Sequence, residues 1–299
     1  MALMVIRAFI VMLLGAQTVS AQDHAAVLRE QVISRIKQVP GATVGVVFRE
    51  VGGGSAIFLN PDSVFHAAST MKVPVMIEYF RGIDAGRIRR DQDLLLDTEF
   101  QSIVDGSPYK LDADVDSDSS VFARVGQRVP LRWLVERMIV RSSNLATNTL
   151  IEVLDAKKVD ATARSLGTTT MKVLRGVEDG KAFEKGLNNQ TSARDLATLL
   201  EAIETGKAAS RASCREMIDI LARQEFNEEI PAGLPTGTRV AHKTGWITGV
   251  NHDAAIVYPP GRKPYVLVVL TKGITERAVA QKLIADISRL VWENTVQPR

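Results

Sequence analysis

The chain has 299 residues, 45% of them hydrophobic, with 37 basic against 34 acidic side chains and a formal net charge of +3. That length gives ample core for one large domain or two interlocked ones, and the interspersed charges exclude the basic stripe of a nucleic-acid binder. The single cysteine, Cys214, excludes an intramolecular disulfide, and four scattered histidines offer no zinc-ligand spacing.

Residues 1–21, MALMVIRAFIVMLLGAQTVSA, hold one basic residue, Arg7, then an apolar run and the small-residue ending Val19-Ser20-Ala21. This pattern predicts a secretory signal cleaved before Gln22, since the run is too short to span a bilayer comfortably. A retained membrane anchor is the competing reading. The expected mature protein is therefore residues 22–299, secreted or periplasmic and without a stable membrane anchor.

Ala25, Val27, Leu28, Val32, Ile33 and Ile36 predict a helix over 23–38 that ends at Pro40. GATVGVVFREV (41–51) and SAIFLN (55–60), joined by three glycines, predict a β-hairpin. Helices follow over 69–82, 130–140, 143–154 and 192–203, the last with Ser192 as its cap. LDADVDSDSS (111–120) has alternating aspartates but Ser117 and Ala123 where a calcium loop needs Gly and Glu, so it reads as a solvated loop. Cys214 stands at helical spacing with Met217, Ile218 and Leu221 and reads as a core thiol. Three strand candidates, 239–244, 253–258 and 265–271, precede a final helix over 275–294 with Val279, Leu283, Ile284, Ile287, Leu290 and Val291 on one face.

Strands at both ends and helices between them predict an α/β fold of the α+β type. An antiparallel sheet of about five strands is flanked by the terminal helices, with an all-helical lobe inserted. The sheet lobe takes about 22–64 and 235–299, the helical lobe about 65–234, and a site is expected at the seam.

Three segments can carry chemistry. S-x-x-K occurs at Ser34–Lys37, Ser69–Lys72 and Ser107–Lys110, but only Ser69 opens an apolar helix after a hairpin. Residues three apart on a helix share a face, so the Lys72 amine can reach the Ser69 hydroxyl and, once its pKa is lowered by burial, take its proton. Ser142 and Asn144 form the only S-x-N, placed between two helices; alone it reads equally as an N-cap, Ser142 or Ser143 opening the helix that follows. Lys243-Thr244-Gly245 is the only K-T-G and closes a strand, with Gly245 permitting close backbone approach.

S-x-x-K, S-x-N and K-T-G, in that order on helix, inter-helix turn and strand, resemble the class A β-lactamase family throughout residues 22–299. The AASTMKVP context and Asn148, four residues after Asn144, resemble it too. The resemblance implies that Ser69 attacks a lactam carbonyl, Lys72 shuttles its proton and Ser142 relays a proton to the departing nitrogen. Lys243 and Thr244 would hold the substrate carboxylate beside Gly245, and Asn144 would bond the acylamido group. Backbone N–H groups of Ser69 and Trp246 would form the oxyanion hole. It implies a small-molecule substrate, a monomer, and neither cofactor, metal nor nucleic acid.

In RGVEDGKAFEKGLNN (175–189), Glu178 lies at the interval of the family's water-activating Glu, and Arg175 resembles the Arg that braces its loop. The family's Asn, four residues after that Glu, is replaced by Ala182. Asn188 and Asn189 come later, Glu184 is a competing carboxylate, and Ser143 stands where the family has Asp. Glu178 is thus either the deacylating base or a solvated turn residue. A D-Ala-D-Ala peptidase, an esterase-like hydrolase and a binding protein without turnover are the alternative functions.

Overall fold

A computed structural model of the chain describes the backbone of residues 21–296 and the side chains of residues 24–296. The expected leader, apart from Ala21, lies outside the described residues. The helix α1, Ala21–Lys37, leads into a hairpin of β1, Thr43–Glu50, and β2, Ala56–Leu59. Further helices are α2, Lys72–Asp84; α3, Leu131–Val140; α4, Asn144–Leu154; α5, Ala156–Ser165; α6, Ala193–Glu204; and α7, Arg211–Leu221. Then come β3, Arg239–Ile247; β4, Val250–Tyr258; β5, Tyr265–Lys272; and the closing helix α8, Arg277–Thr295.

The five strands form one antiparallel sheet, as the sequence predicts, and their order is β2-β1-β5-β4-β3. Strand alternation divides its side chains between two cores. Val44, Val46, Phe48, Leu267 and Val269 face α1 and α8, where Leu28, Val32, Leu283, Ile284 and Ile287 pack. Val47, Ala254, Ile256, Val266 and Val268 face the helical lobe and share its core with Met76, Phe80, Leu134 and Leu150. One apolar face would leave the sheet stable on one side only; two fix its register, because a one-residue slip would exchange both cores. Cys214 is in the helical core, as expected, and burial raises its pKa.

Two expectations need correction. Val279 is 41% exposed, and Ala280 takes its place on the buried stripe of α8. At 100° per residue Val279 falls about 110° from the stripe's centre, too far round to reach the sheet. The helix expected from residue 69 begins with a 3₁₀ turn, Ala68–Met71, and only then becomes α-helical at Lys72. Pro74 therefore sits in the first turn of α2, where its missing N–H costs no helical bond. Among the described residues no helix is long and apolar enough to cross a membrane.

Candidate active site

The nucleophile candidate is presented by a strained turn. Phe65 and His66 pair with Gln190 and Thr191, and the Ala67 N–H donates to the Asn189 carbonyl at 2.9 Å. Ala68 then adopts φ 44°, a left-handed conformation that costs an L residue about 1 kcal/mol. Its N–H donates to His66 Nδ1 at 3.0 Å, and the Thr70 hydroxyl donates to the Ala67 carbonyl at 2.6 Å. These bonds hold the turn that projects half-buried Ser69 into a cleft of about 400 Å³, which His66, Asn144, Glu178, Phe183 and Trp246 also line.

β3 runs against this turn. A Cβ on Gly245 would lie 2.9 Å from both the Ser69 and Thr70 nitrogens, so only glycine lets the strand come this close. Its neighbour Trp246 is half exposed, with the Arg277 guanidinium 4.4 Å above the indole. Thr244 is buried beside Lys243.

Lys72 and Lys243 are both completely buried, and Ser142 lies between them. Lys72 Nζ donates to the Ser142 carbonyl at 2.6 Å, to Ser142 Oγ at 3.1 Å and to Asn144 Oδ1 at 2.9 Å. Lys243 Nζ donates to the same Ser142 Oγ at 3.0 Å and to the Thr244 carbonyl at 2.9 Å. The Lys72 amine thus engages the S-x-N turn rather than the Ser69 hydroxyl that its spacing suggests. Burial pulls the Lys72 pKa down to about 7, against the opposing charges of Asp116 and Glu178. Lys243 is held well below its ordinary value by burial and by the positive charge of Lys72.

The S-x-N turn has a divided role. Ser143 is the N-cap of α4, accepting from the Ala146 N–H at 3.1 Å, so the capping reading applies to this residue. Ser142, at φ 59°, turns the other way and meets the lysines. Asn144 uses both ends of its amide, accepting from Lys72 and donating from Nδ2 to Glu178 Oε1 at 3.0 Å.

Glu178 also sits at a left-handed φ, 62°, exposed at the cleft edge. Asn148 grips the residue before it: Val177 N–H donates to Asn148 Oδ1 at 2.6 Å, and Asn148 Nδ2 donates to the Val177 carbonyl at 2.9 Å. Tyr109 Oη adds a second bond to that carbonyl at 3.2 Å. Arg175 is buried and donates to the Leu187 and Gly176 carbonyls and to Asn188 Oδ1, bracing the loop through neutral acceptors. Asp179 is buried and caps the turn Gly180–Glu184 while accepting from Ser102 and Ile103, a structural role. Ala182 is buried in that turn, and Glu184 is exposed at its end, so Glu178 is the carboxylate that joins the site.

The acidic run 111–120 is only partly solvated. Asp112 and Asp114 are exposed, but Asp116 and Asp118 are bonded into the helical lobe. His66, Tyr109, Asp116 and Phe183 escaped sequence reasoning. Each is an isolated residue on a loop, short strand or single helical turn, brought to the site by long-range contacts that no local spacing encodes.

The five-stranded antiparallel sheet, its two helical layers and the seam between them define the α/β fold shared by β-lactamases and transpeptidases. The chain belongs to the β-lactamase enzyme family, whose model matches residues 27–295. It is 26% identical over 275 residues to a β-lactamase of Streptomyces albus G, covering 88% of this chain and 83% of that one. It is 26% identical over 273 residues to the carbapenem-hydrolysing β-lactamase KPC of Klebsiella oxytoca, covering 87% and 86%. The structure of PBP-A superposes with a TM-score of 0.77 at 29% identity, over 89% of this chain and 95% of PBP-A.

Proposed function

We propose that the protein is a secreted, monomeric serine hydrolase that opens the β-lactam ring through an acyl-enzyme on Ser69. The observation that carries this reading is the continuous hydrogen-bonded path from Lys72 through Asn144 to Glu178, beside the nucleophile turn. A base for acylation, buried behind the cleft, and a carboxylate for deacylation at its edge are thus joined through one amide.

In this mechanism Lys72, with a pKa near neutrality, takes the Ser69 proton as Oγ bonds to the lactam carbonyl carbon. The carbonyl electron pair moves onto oxygen, held by the N–H groups of Ser69 and Trp246. The carbon–nitrogen bond breaks as Ser142 Oγ gives its proton to the nitrogen, and the proton on Lys72 replaces it. The distance of 3.1 Å between Lys72 Nζ and Ser142 Oγ suits that transfer. Lys243 and Thr244 bind the substrate carboxylate beside Gly245, and Asn144 bonds the acylamido group. Glu178 then takes a proton from water, hydroxide adds to the ester carbonyl, and Ser69 Oγ leaves with the proton returned to it.

A second reading has its own support. Position 182, four residues after Glu178, offers a buried alanine in place of an amide that would help hold the water. The same fold would then stop at the acyl-enzyme, as a penicillin-binding peptidase or a binding protein does. Nitrocefin turnover by wild type and Glu178→Gln separates the two. Turnover lost in the variant, with acyl-enzyme accumulating, supports the hydrolase; stoichiometric labelling of wild type without turnover supports the second reading. Penicillin labelling that survives Ser69→Ala overturns both.

A further inference from the structure

The acidic segment before α3 reaches across to the turn that carries Ser142. Asp116 is half-buried, and its Oδ2 accepts from the Leu145 N–H at 2.8 Å and from the Ser143 hydroxyl at 3.2 Å. Its Oδ1 accepts from the Asp118 N–H at 2.8 Å, which closes the segment on itself. On one side the Ser117 hydroxyl donates to the Arg141 carbonyl at 2.5 Å. On the other, Asp118 is buried against Arg137 Nε at 2.5 Å. Residues 116–118 therefore bind the end of α3, the connection and the start of α4 together.

Between those anchors lies Ser142, whose φ of 59° is unfavourable for serine. Such a conformation persists only when its surroundings over-determine it. Ser143 shows how this is done: its Oγ accepts from Ala146 N–H and donates to Asp116, so the cap and the clamp share one hydroxyl. Asp116 also satisfies the Leu145 N–H, a first-turn donor that α4 itself cannot pair.

We infer that Asp116 is a positioning residue of the acyl-serine site: it locks the Ser142–Asn144 turn against Lys72 and supplies a negative charge facing that amine. The inference rests on the acyl-serine reading of Ser69 and Lys72. Its electrostatic part concerns Lys72, which faces Lys243 from β3, Glu178 from the loop after α5, and Asp116. Asp116 and Glu178 favour the ammonium form, and Lys243 opposes it. Removing the Asp116 charge therefore lowers the Lys72 pKa, while removing its acceptor loosens the turn.

The test is the single-turnover rate of acylation by a fluorescent penicillin, measured against pH and normalised to folded protein. Asp116→Ala is expected to lower the plateau rate by about tenfold or more, through misplaced Ser142 and Asn144. Asp116→Asn keeps an acceptor for the Leu145 N–H, so its plateau stays within about threefold while its acid limb moves to lower pH. The double variant Asp116→Ser with Ser143→Asp puts the carboxylate on the other side of the same hydrogen bond. It is expected to return the limb toward wild type. A role confined to stability would lower the melting temperature and leave plateau and limb in place. That result for both single variants overturns the inference. Failure of wild type to acylate at all overturns the reading of Ser69 and this inference with it.

Discussion

Lys72 and Glu178 are held at the two ends of one amide: Asn144 Oδ1 accepts from Lys72 at 2.9 Å while its Nδ2 donates to Glu178 at 3.0 Å. Each end has only one chemically consistent partner, since an ammonium cannot accept and a carboxylate cannot donate. Asn144 therefore links the buried amine to the cleft-edge carboxylate and fixes their separation.

Asn144→Leu keeps the approximate volume and removes both bonds. Hydrogen bonds to charged groups contribute about 1.5–3 kcal/mol each, so the variant should lose at least about tenfold in acylation rate. The loss should appear in deacylation as well, because Glu178 loses its tether. Pre-steady-state nitrocefin kinetics resolve the two steps; a variant impaired only in KM would show that Asn144 acts on substrate alone.

Gly245 admits no side chain without displacing the turn that carries Ser69. A methyl group 2.9 Å from the Ser69 and Thr70 nitrogens must push β3 and the 3₁₀ turn apart. A displacement of a few tenths of an ångström to 1 Å at reacting atoms costs up to about 100-fold in rate. Gly245→Ala should show that loss mainly in kcat of acylation, with a smaller effect on the melting temperature than a core deletion has. Wild-type acylation in this variant would mean that the turn yields freely.

Much of the fold was readable because its periodicities are local. The strands alternate, α8 carries its stripe, and Ser192 caps α6 through Asp195 N–H, all within a few residues of one another. The three motifs were readable for the same reason: Ser69 and Lys72, Ser142 and Asn144, and Lys243 to Gly245 are short spacings. What joins them was not. The bonds from Lys72 to Asn144, from Asn144 to Glu178 and from Asp116 to Leu145 span 72, 34 and 29 residues. Asp116 was also disguised, because its neighbours Asp112 and Asp114 are the solvated acids that the run resembles. Lys72's bonding to Ser142 rather than Ser69 follows from burial of the amine between two lobes, which spacing on one helix cannot show.

Glu178 occupies a left-handed backbone conformation that asparagine tolerates better than glutamate. Glu178→Asn retains a side-chain acceptor and removes both the carboxylate and part of the strain. Its stability should rise by about 0.5–1 kcal/mol, while turnover of the acyl-enzyme falls to that of Glu178→Gln. Urea unfolding and nitrocefin turnover on the same preparations check both halves. A variant that is less stable than wild type would show that the loop relies on the carboxylate for its fold.

A buried acidic group lies between β4 and α8. Glu229 is completely buried, with Oε1 accepting from Asn251 at 3.3 Å and Gln281 at 3.1 Å and Oε2 without a partner. Burial, with the charge of Asp253, pushes its pKa up from 4.5 to about 7. The folded state therefore binds this proton more tightly than the unfolded chain does. The resulting stability is fully present below the unfolded value of 4.5 and is lost as pH rises to about 7. A shift of this size corresponds to a contribution on the order of 3 kcal/mol. Glu229→Gln is neutral throughout and keeps the Oε1 acceptor, so its stability should not fall across that window. Wild type and variant should be similar near pH 4.5, diverge as pH rises to about 7 and stay apart above it, with the variant the more stable. Denaturant unfolding across this range reads the difference directly, and parallel curves for the two proteins would mean that Glu229 is ionised in the fold or that solvent reaches it.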